Sequence, residues 1–414
     1  MSFREDIKLI RGSRSNLLSG KRILLALTGG ISIYRVPDVA RELIRHGADV
    51  VTFMSREAAK LLSPKVMEWA TGNRVYTGLS GYAEHVNVCL SVDAVVIAPA
   101  TANTIAKVAN GIGDTTVTLC AMVALGAGKP LLMVPAMNES MWRNPIVRGN
   151  IDRLRSVGVR FVEPVLEEGK AKLAPSEEIV ESVIDLLAPG DMNGLSVLVT
   201  SGPTHERIDA TKYITTPSSG LTGYYFAREA MARGARVTLV TGPVNIRDPP
   251  NVEVIRVTSV LEMYEEVMRL VGSRHYDIAI LTAAPLDFYV KNTFSDKLSS
   301  DLERVTIELV QAPKIARDLK RASPGTYLVG YKAEVNVSMD ELIARAIRRI
   351  REGNWNLALA HTVGPGRGFG SEKDEVVVIN GDGNVMTRLG PMHKRELARE
   401  VLNMVVRDYR RHAS

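Results

Sequence analysis

The sequence predicts an α/β protein of two doubly wound, mostly parallel-sheet (Rossmann-like) domains. Three observations predict it. Short, wholly apolar runs recur along the chain, as parallel strands covered on both faces require. Helical stretches separate those runs, the pattern of βαβ units. The alternation is interrupted once, by LLAPGDMNGLS at 186–196, and then begins again. At 414 residues the chain is too long for one core, so the interruption reads as a domain boundary. The expected domains are residues 1–189 and 190–414.

In the first half the strands are RILLALT (22–28), DVVTFM (49–54), AVVIAPA (94–100) and PLLMVPA (130–136). Helical stretches lie between and after them: IYRVPDVARELIRHG, REAAKLL, ANTIAKVANGIG and PIVRGNIDRLRSVG. In the second half the strands are LSVLVTSGPT (195–204), ARVTLVTGP (235–243), VEVIRV (252–257), YDIAILTAAP (276–285), TYLVGYKAE (326–334), LALAHT (357–362) and EVVVING (375–381). Its helices include GYYFAREAMARG and the long, charged SMDELIARAIRRIREG.

Composition narrows the function. Aromatics make up 5%, so the cores must be aliphatic. No apolar run approaches the ~20 residues of a membrane span, and the first residues lack a secretory apolar core. Two cysteines, Cys89 and Cys120, give no disulfide framework, so the cytoplasm is the expected compartment. The net charge of +6 is spread along helices among acids, as in RRIREGN, with no basic block among aromatics. That argues against nucleic acid and fits anionic small molecules.

LTGGIS (27–32) joins a strand to a helix. Gly29 and Gly30 permit a tight turn, the helix start offers free N–H groups to an anion, and Ser32 can add a hydroxyl. The full G-x-G-x-x-G pattern is missing, and no acid closes the next strand. A phosphate on a cofactor smaller than a dinucleotide is the better match. Ser55 closes the second strand on the edge where ligands of open α/β sheets sit. APATANTIAKVANGIGDT (98–115) puts Thr101, Asn103 and Thr104 where a strand becomes a helix; capping and ligand contact both fit. His85 in YAEHVNV is either a surface residue or a base facing the same edge. Asn138 in LLMVPAMNESMW is either a turn residue or an amide beside a flat cofactor.

EHVNV, APATANT, GIGDT and PAMNESMW, in this order and spacing, resemble the homo-oligomeric flavin-containing cysteine decarboxylases over about residues 20–185. The resemblance implies flavin mononucleotide (FMN) with its phosphate at Gly29–Ser32. It implies His85 as the base that deprotonates a thiol, and Asn138 as the amide that holds a substrate carboxylate. An amide holds that anion without neutralising it, so it stays free to leave as carbon dioxide. The flavin would take a hydride to make the thiocarbonyl into which the departing carboxylate's electrons flow, and would later return the hydride to the resulting enethiol. One feature departs from the family. Its flexible clamp carries a Cys in a Gly-rich ACG stretch, where this chain reads EEGKAKLAPSEEIVE (167–181). Lys170 or Lys172 is a candidate for the substrate phosphate, and the last proton donor is unassigned. Cys89 and Cys120 read as small buried hydrophobes.

In the second half, TSGPTHERIDATKYITTPSSG (200–220) is a long polar loop with Gly202, Thr204, Ser218, Ser219 and Gly220, suited to phosphate but not a Walker A loop. Asp287 lies beyond a strand end and Lys297 ten residues later; an acid and a base there suit a Mg²⁺-bound triphosphate, or a solvated loop pair. GPT-x-E-x-ID, KYI-x-x-x-SSG, LVTGP, AA-x-x-D, DKL, APKI and GYKAE resemble phosphopantothenate–cysteine ligase over roughly residues 194–405. The resemblance implies that Lys297 stabilises charge as an acyl-nucleotide forms. Asp287, as a Mg²⁺ and nucleotide contact, would act with Thr282, Ala283 and Ala284, commonly on CTP. Pro313, Lys314, Ile315, Ala316 and Tyr331 would complete the pocket, with Arg349 replacing a nucleotide-binding Lys. Lys212 stands where the family often has Arg, and Thr216 where bacterial members have an Asn used in the second half-reaction.

Decarboxylase-like and ligase-like halves in one chain imply a bifunctional enzyme. It would join L-cysteine to 4′-phosphopantothenate with CTP or another nucleoside triphosphate, then decarboxylate the product to 4′-phosphopantetheine. The resemblance also implies a homo-oligomer, from ligase dimers and decarboxylase trimers or a dodecamer. Two other readings stand beside this one: a chain that keeps one activity, and a flavoprotein that binds partners without turnover.

Overall fold

The computed structural model describes residues 3–364 and 368–413. It divides into two compact units, Met1–Ala188 and Pro189–Ser414, one residue from the break expected in the sequence.

The first unit holds a parallel sheet of Arg22–Leu27 (β1), Asp49–Met54 (β2), Val75–Tyr76 (β3), Ala94–Ala100 (β4), Leu131–Pro135 (β5) and Arg160–Phe161 (β6). The spatial order is β3-β2-β1-β4-β5-β6. All of β4, and β1 beyond Arg22, is buried, because helices cover both faces. The alternation of strand side chains separates two aliphatic cores. Ile23, Leu25 and Leu27 face one with Val50 and Val96; Leu24 and Ala26 face the other with Val95 and Ile97. Each Val, Leu or Ile among them contributes about 1.5–3 kcal/mol on burial.

Two expectations need correction here. The turn after β1 does not lead directly into an α-helix. Ile31–Arg35 is a 3₁₀ turn, and the α-helix runs only from Val36 to Arg45. The macrodipole of that helix therefore starts a turn away from Gly30, and an anion at Gly29–Ser32 would rely on local N–H groups and the Ser32 hydroxyl. Secondly, Cys89 and Cys120 form a disulfide, with Cα atoms 5.9 Å apart. Both are fully buried, as read from the sequence, but they are bonded to each other. They lie 31 residues apart, and only the packing of helix Glu84–Leu90 against helix Thr116–Gly126 brings them together.

The segment 165–172, which lacks the clamp cysteine, is a hairpin. Val165–Glu167 pairs antiparallel with Lys170–Lys172, and the latter pairs with Met137–Asn138. Its turn residues Glu168 and Gly169 both have positive φ, as a two-residue hairpin turn requires.

The second unit holds Ser196–Ser201 (β7), Arg236–Thr241 (β8), Glu253–Arg256 (β9), Ile278–Leu281 (β10), Tyr327–Glu334 (β11), Leu357–Thr362 (β12), Lys373–Asn380 (β13) and Val385–His393 (β14). The order is β9-β8-β7-β10-β11-β12-β13-β14, parallel as far as β12 and antiparallel beyond it. The sequence pattern did not show β14 or the closing helix Lys394–Ala413. That helix buries Leu397, Val401, Leu402 and Val405 against Phe226, Ala227 and Ala230 of helix Leu221–Ala232.

Between these two helices lies a buried charge cluster. Glu229, with no exposed side-chain surface, accepts from Arg395 Nε at 3.3 Å and Arg399 Nε at 2.7 Å. Removing one member of a buried pair costs more than the pair contributes, because a dehydrated charge is left behind. Glu229→Ala should therefore lower the stability of the second unit by about 3–5 kcal/mol in denaturant titration. A loss below about 1 kcal/mol would show that the cluster is solvated.

Candidate functional site

In both sheets the strand order reverses beside the first strand. β1 lies between β2 and β4, and β7 between β8 and β10. Crossovers on either side of such a strand go to opposite faces and leave a crevice at its carboxyl end, where open α/β sheets bind ligands. Part of each unit's candidate set lies there.

In the first unit the crevice is tight. A Cβ on Gly30 would meet Pro99 at 3.1 Å and Thr101 at 3.3 Å; one on Gly29 would meet Glu57 at 2.7 Å. Only glycine lets the turn approach β4 so closely. Thr28 Oγ1 donates to Pro99 O at 2.5 Å and ties the two strand ends. Ser55 Oγ accepts from Ala58 N, and Thr101 Oγ1 from Thr104 N, so both cap helices at this edge. The capping reading is realised. Asn103 lies in the first turn of the Thr101-capped helix. Ser32 Oγ is buried without a hydrogen-bond partner among the described residues, an open donor and acceptor at the phosphate-sized turn.

His85 occupies the first turn of helix Glu84–Leu90, which precedes β4. A helix feeding a parallel strand runs antiparallel to it, so that turn lies at the ligand edge. His85 Nδ1 is buried with no hydrogen-bond partner among the described residues. Its neighbour Glu84 accepts from Ser80 Oγ at 2.5 Å and Ser80 N at 3.0 Å. The Ser80 hydrogen bonds hold the Glu84 carboxyl down at about 2. Asn138 begins the short helix Glu139–Trp142, and its Oδ1 accepts from Ser140 N at 2.9 Å. The cap fixes the orientation of the amide, so the exposed Nδ2 is left to donate to an anion. Lys172 reaches back to Glu167 and Glu168, while Lys170 is exposed.

In the second unit the loop after β7 and the loop after β10 interlock. Thr282 Oγ1 donates to Thr200 O at 2.7 Å, Ala284 N to Gly202 O at 2.9 Å, and Thr216 Oγ1 to Ala284 O at 2.7 Å. Gly220, at φ 76°, caps helix Leu221–Ala232. A Cβ on Gly223 would lie 2.5 Å from Ser201 and 2.7 Å from Thr282, so that helix start presses on both strand ends. A cavity of about 100 Å³ opens here, lined by Ser218, Ser219, Gly220, Thr282, Ala283, Ala284 and Tyr331. All seven were read from the sequence. Thr216 and Ser218 also border a second cavity of about 480 Å³ with the stacked rings of His205 and Tyr213.

The remaining residues form a separate group. Lys314 Nζ donates to Asp287 Oδ1 at 2.6 Å. That bond, with Arg349 and Lys332 nearby, holds the Asp287 carboxyl below the usual carboxylate range. Pro313, Ile315 and Ala316 flank Lys314, where helix Ile315–Ala322 begins. Lys212 is exposed but not a free cation: its Nζ donates to Asp209, which also accepts from Leu298 N and so ties down the loop carrying Lys297. Lys297 itself is exposed. Among the described residues no group of three or more His, Cys, Asp or Glu side chains is placed to hold a metal ion.

Sequence reasoning missed the floor of the first ligase cavity. His361 Nδ1 lies 3.1 Å from both carboxylate oxygens of Asp374, and Lys394 Nζ donates to Gly368 O at 2.8 Å. Burial lowers the Lys394 ammonium and raises the Tyr331 phenol, whose hydroxyl has no partner among the described residues. His361 and Asp374 sit on strands read as ordinary β-sheet, and Lys394 opens the closing helix that the sequence pattern did not show. Lys332 lies within the GYKAE motif and Gly223 opens the stretch read as GYYFAREAMARG, but neither was singled out as a site residue.

The sequence pattern of the Flavoprotein family matches residues 11–188, and that of the DNA/pantothenate metabolism flavoprotein C-terminal domain matches residues 192–409. The coenzyme A biosynthesis bifunctional protein CoaBC of Thermococcus kodakarensis is 44% identical over 397 residues, 95% of this chain and 96% of that protein. The chain belongs to the CoaBC family. A second member, from Methanocaldococcus jannaschii, is 34% identical over 90% of this chain and 91% of its own length. A crystal structure of the C-terminal domain of a CoaBC protein aligns with 29% identity over 52% of this chain and 96% of that one, at a TM-score of 0.44. As a CoaBC protein the chain is a bifunctional enzyme of coenzyme A biosynthesis, with a flavoprotein decarboxylase unit followed by a ligase unit. No described helix is long and apolar enough to cross a membrane.

The Ser80–Glu84 tie gives a measurable signature beside His85. The carboxyl is depressed in the folded state, so the tie is complete above about pH 4.5 and is lost as pH falls towards about 2. Ser80→Ala should move the Glu84 carboxyl back towards 4.5 in an NMR titration. Identical titration in both proteins would mean that the bond does not form.

Proposed function

We propose that the second unit joins 4′-phosphopantothenate to L-cysteine at the expense of CTP, and that the first unit decarboxylates the product to 4′-phosphopantetheine with FMN. What supports the reading is that GGIS and APATANT in the first unit, and the SSG and TAA residues in the second, lie at the strand-reversal crevice that each half-reaction would use.

In the ligase unit a carboxylate must become an acyl donor. The Gly220 helix start, Ser218 and Ser219 offer N–H and hydroxyl donors to phosphate oxygens. Lys314, Arg349 and Lys332 surround Asp287 with positive charge suited to a triphosphate. Mg²⁺ would arrive with the nucleotide, since a lone carboxylate such as Asp287 holds it only together with phosphate oxygens. Lys297, on its tethered loop, would neutralise the charge that develops as the acyl-nucleotide forms and pyrophosphate leaves. The cysteine amine then attacks the activated carbonyl. Thr216, whose hydroxyl donates to Ala284 O, lines the larger cavity and stands there in place of an amide.

In the decarboxylase unit the residues present fit FMN: Ser32 supplies an unsatisfied buried hydroxyl, and Gly29 and Gly30 a turn without side chains. Bound there, the flavin supplies reversible two-electron chemistry. His85 would take the thiol proton of the substrate. Asn138 Nδ2 would donate to its carboxylate and orient that group for departure as carbon dioxide. The exposed Ile31, Tyr34 and Ile146 of this unit support a homo-oligomer.

His85→Asn should abolish carbon dioxide release and leave pyrophosphate release intact in the coupled assay. Equal loss of both products would refute separate sites. Lys297→Ala should slow pyrophosphate release by about 10²–10³-fold while decarboxylation of supplied 4′-phosphopantothenoylcysteine continues. Near-normal ligation by that variant would remove Lys297 from the mechanism. Running the assay with each of the four nucleoside triphosphates tests the preference for CTP.

A further inference from the structure

We propose that the Cys89–Cys120 disulfide positions the His85 base, tying its helix to a neighbour anchored at the end of β2. The inference rests on the reading of His85 given above.

Cys89 follows His85 by four residues, one turn along the same helix face. A histidine base is ordinarily oriented by a hydrogen bond to its second ring nitrogen. Here Nδ1 is buried and has no such partner among the described residues, so the ring takes its position from the helix that bears it. That helix is weakly held at its start. It is seven residues long and enters through Ala83 at φ 50°, with no side-chain cap. Its polar ties, Ser80–Glu84 and Asn87 Nδ2 to Tyr82 O, reach only the exposed loop just upstream. The partner helix, Thr116–Gly126, is well anchored. Thr115 and Thr118 form a reciprocal cap, and Thr116 Oγ1 donates to Met54 O at 3.0 Å. The bridge therefore carries the position of the β2 carboxyl end to the turn that holds the base.

The ligase unit contains no cysteine, so it is an internal control. Reduction by a dithiol such as dithiothreitol breaks the S–S bond, adds two electrons and two protons to give two thiols, and converts the reagent to its cyclic disulfide. The loosened base should then be misplaced by a fraction of an ångström to an ångström.

The test uses the full-length, flavin-loaded enzyme and its Cys89→Ala, Cys120→Ala and double variants, with His85→Asn in parallel. Each cysteine variant should lose about 10- to 100-fold in decarboxylation kcat with KM unchanged. The double variant should be no worse than either single one, since all three remove the same bond. Ligation and flavin absorbance should stay at wild-type levels. Wild-type enzyme, reduced until two thiols titrate after denaturation, should match the variants and recover on reoxidation. Unchanged kcat, an effect on KM alone, multiplying losses, or flavin loss in the variants would overturn the proposal. So would two free thiols in the unreduced protein. If His85→Asn itself decarboxylates normally, the assignment of the base fails instead.

Discussion

The reversal of strand order beside the first strand of each sheet is the constraint on which both sites depend. A parallel strand with crossovers leaving to opposite faces cannot have its carboxyl end roofed by helices. The crevice is then shaped by how closely the flanking turns approach. Gly30 lies against Pro99 and Thr101, and Gly223 against Ser201 and Thr282. A β-carbon at any of these positions would push polar strand ends apart. The same absence of side chains that permits the packing leaves backbone N–H groups facing the space where a phosphate can lie.

Around those crevices, satisfied and unsatisfied polar groups are sharply divided. Ser55, Thr101, Asn138 and Asp209 all spend acceptors on backbone N–H groups, which fixes the loops. Ser32 Oγ, His85 Nδ1 and Tyr331 Oη are buried without partners among the described residues. Burying a polar group unpaired costs about 1–3 kcal/mol, and such groups persist where a ligand completes them. Capping and ligand binding are thus complementary: the caps make the open groups stationary.

Much of this was legible in the sequence. Apolar runs such as AVVIAPA became fully buried strands, and GGIS, APATANT and SSG fell at strand ends because Gly, Ser and Thr are needed where backbone turns at a crevice. The misses share a cause. The 3₁₀ turn at Ile31–Arg35 has no distinct pattern, since Pro37 is as compatible with a later helix start as with an earlier one. The helix Lys394–Ala413 carries an ordinary amphipathic stripe in a highly charged segment, and its fully buried Arg395 reads as a surface residue until Glu229 is beside it.

By itself the sequence determined the core strands and most of the helices between them, the division into two units and which polar residues stand at strand ends, because periodicity and turn chemistry are local properties. Tertiary structure alone decided which distant residues meet: Cys89 with Cys120, His361 with Asp374, and Lys314 with Asp287. Each of these is a pairing of charge, sulfur or hydrogen-bond partners, set by helix packing, strand order and loop closure. The energy of such a pair depends on distance in space, which a one-dimensional pattern does not encode.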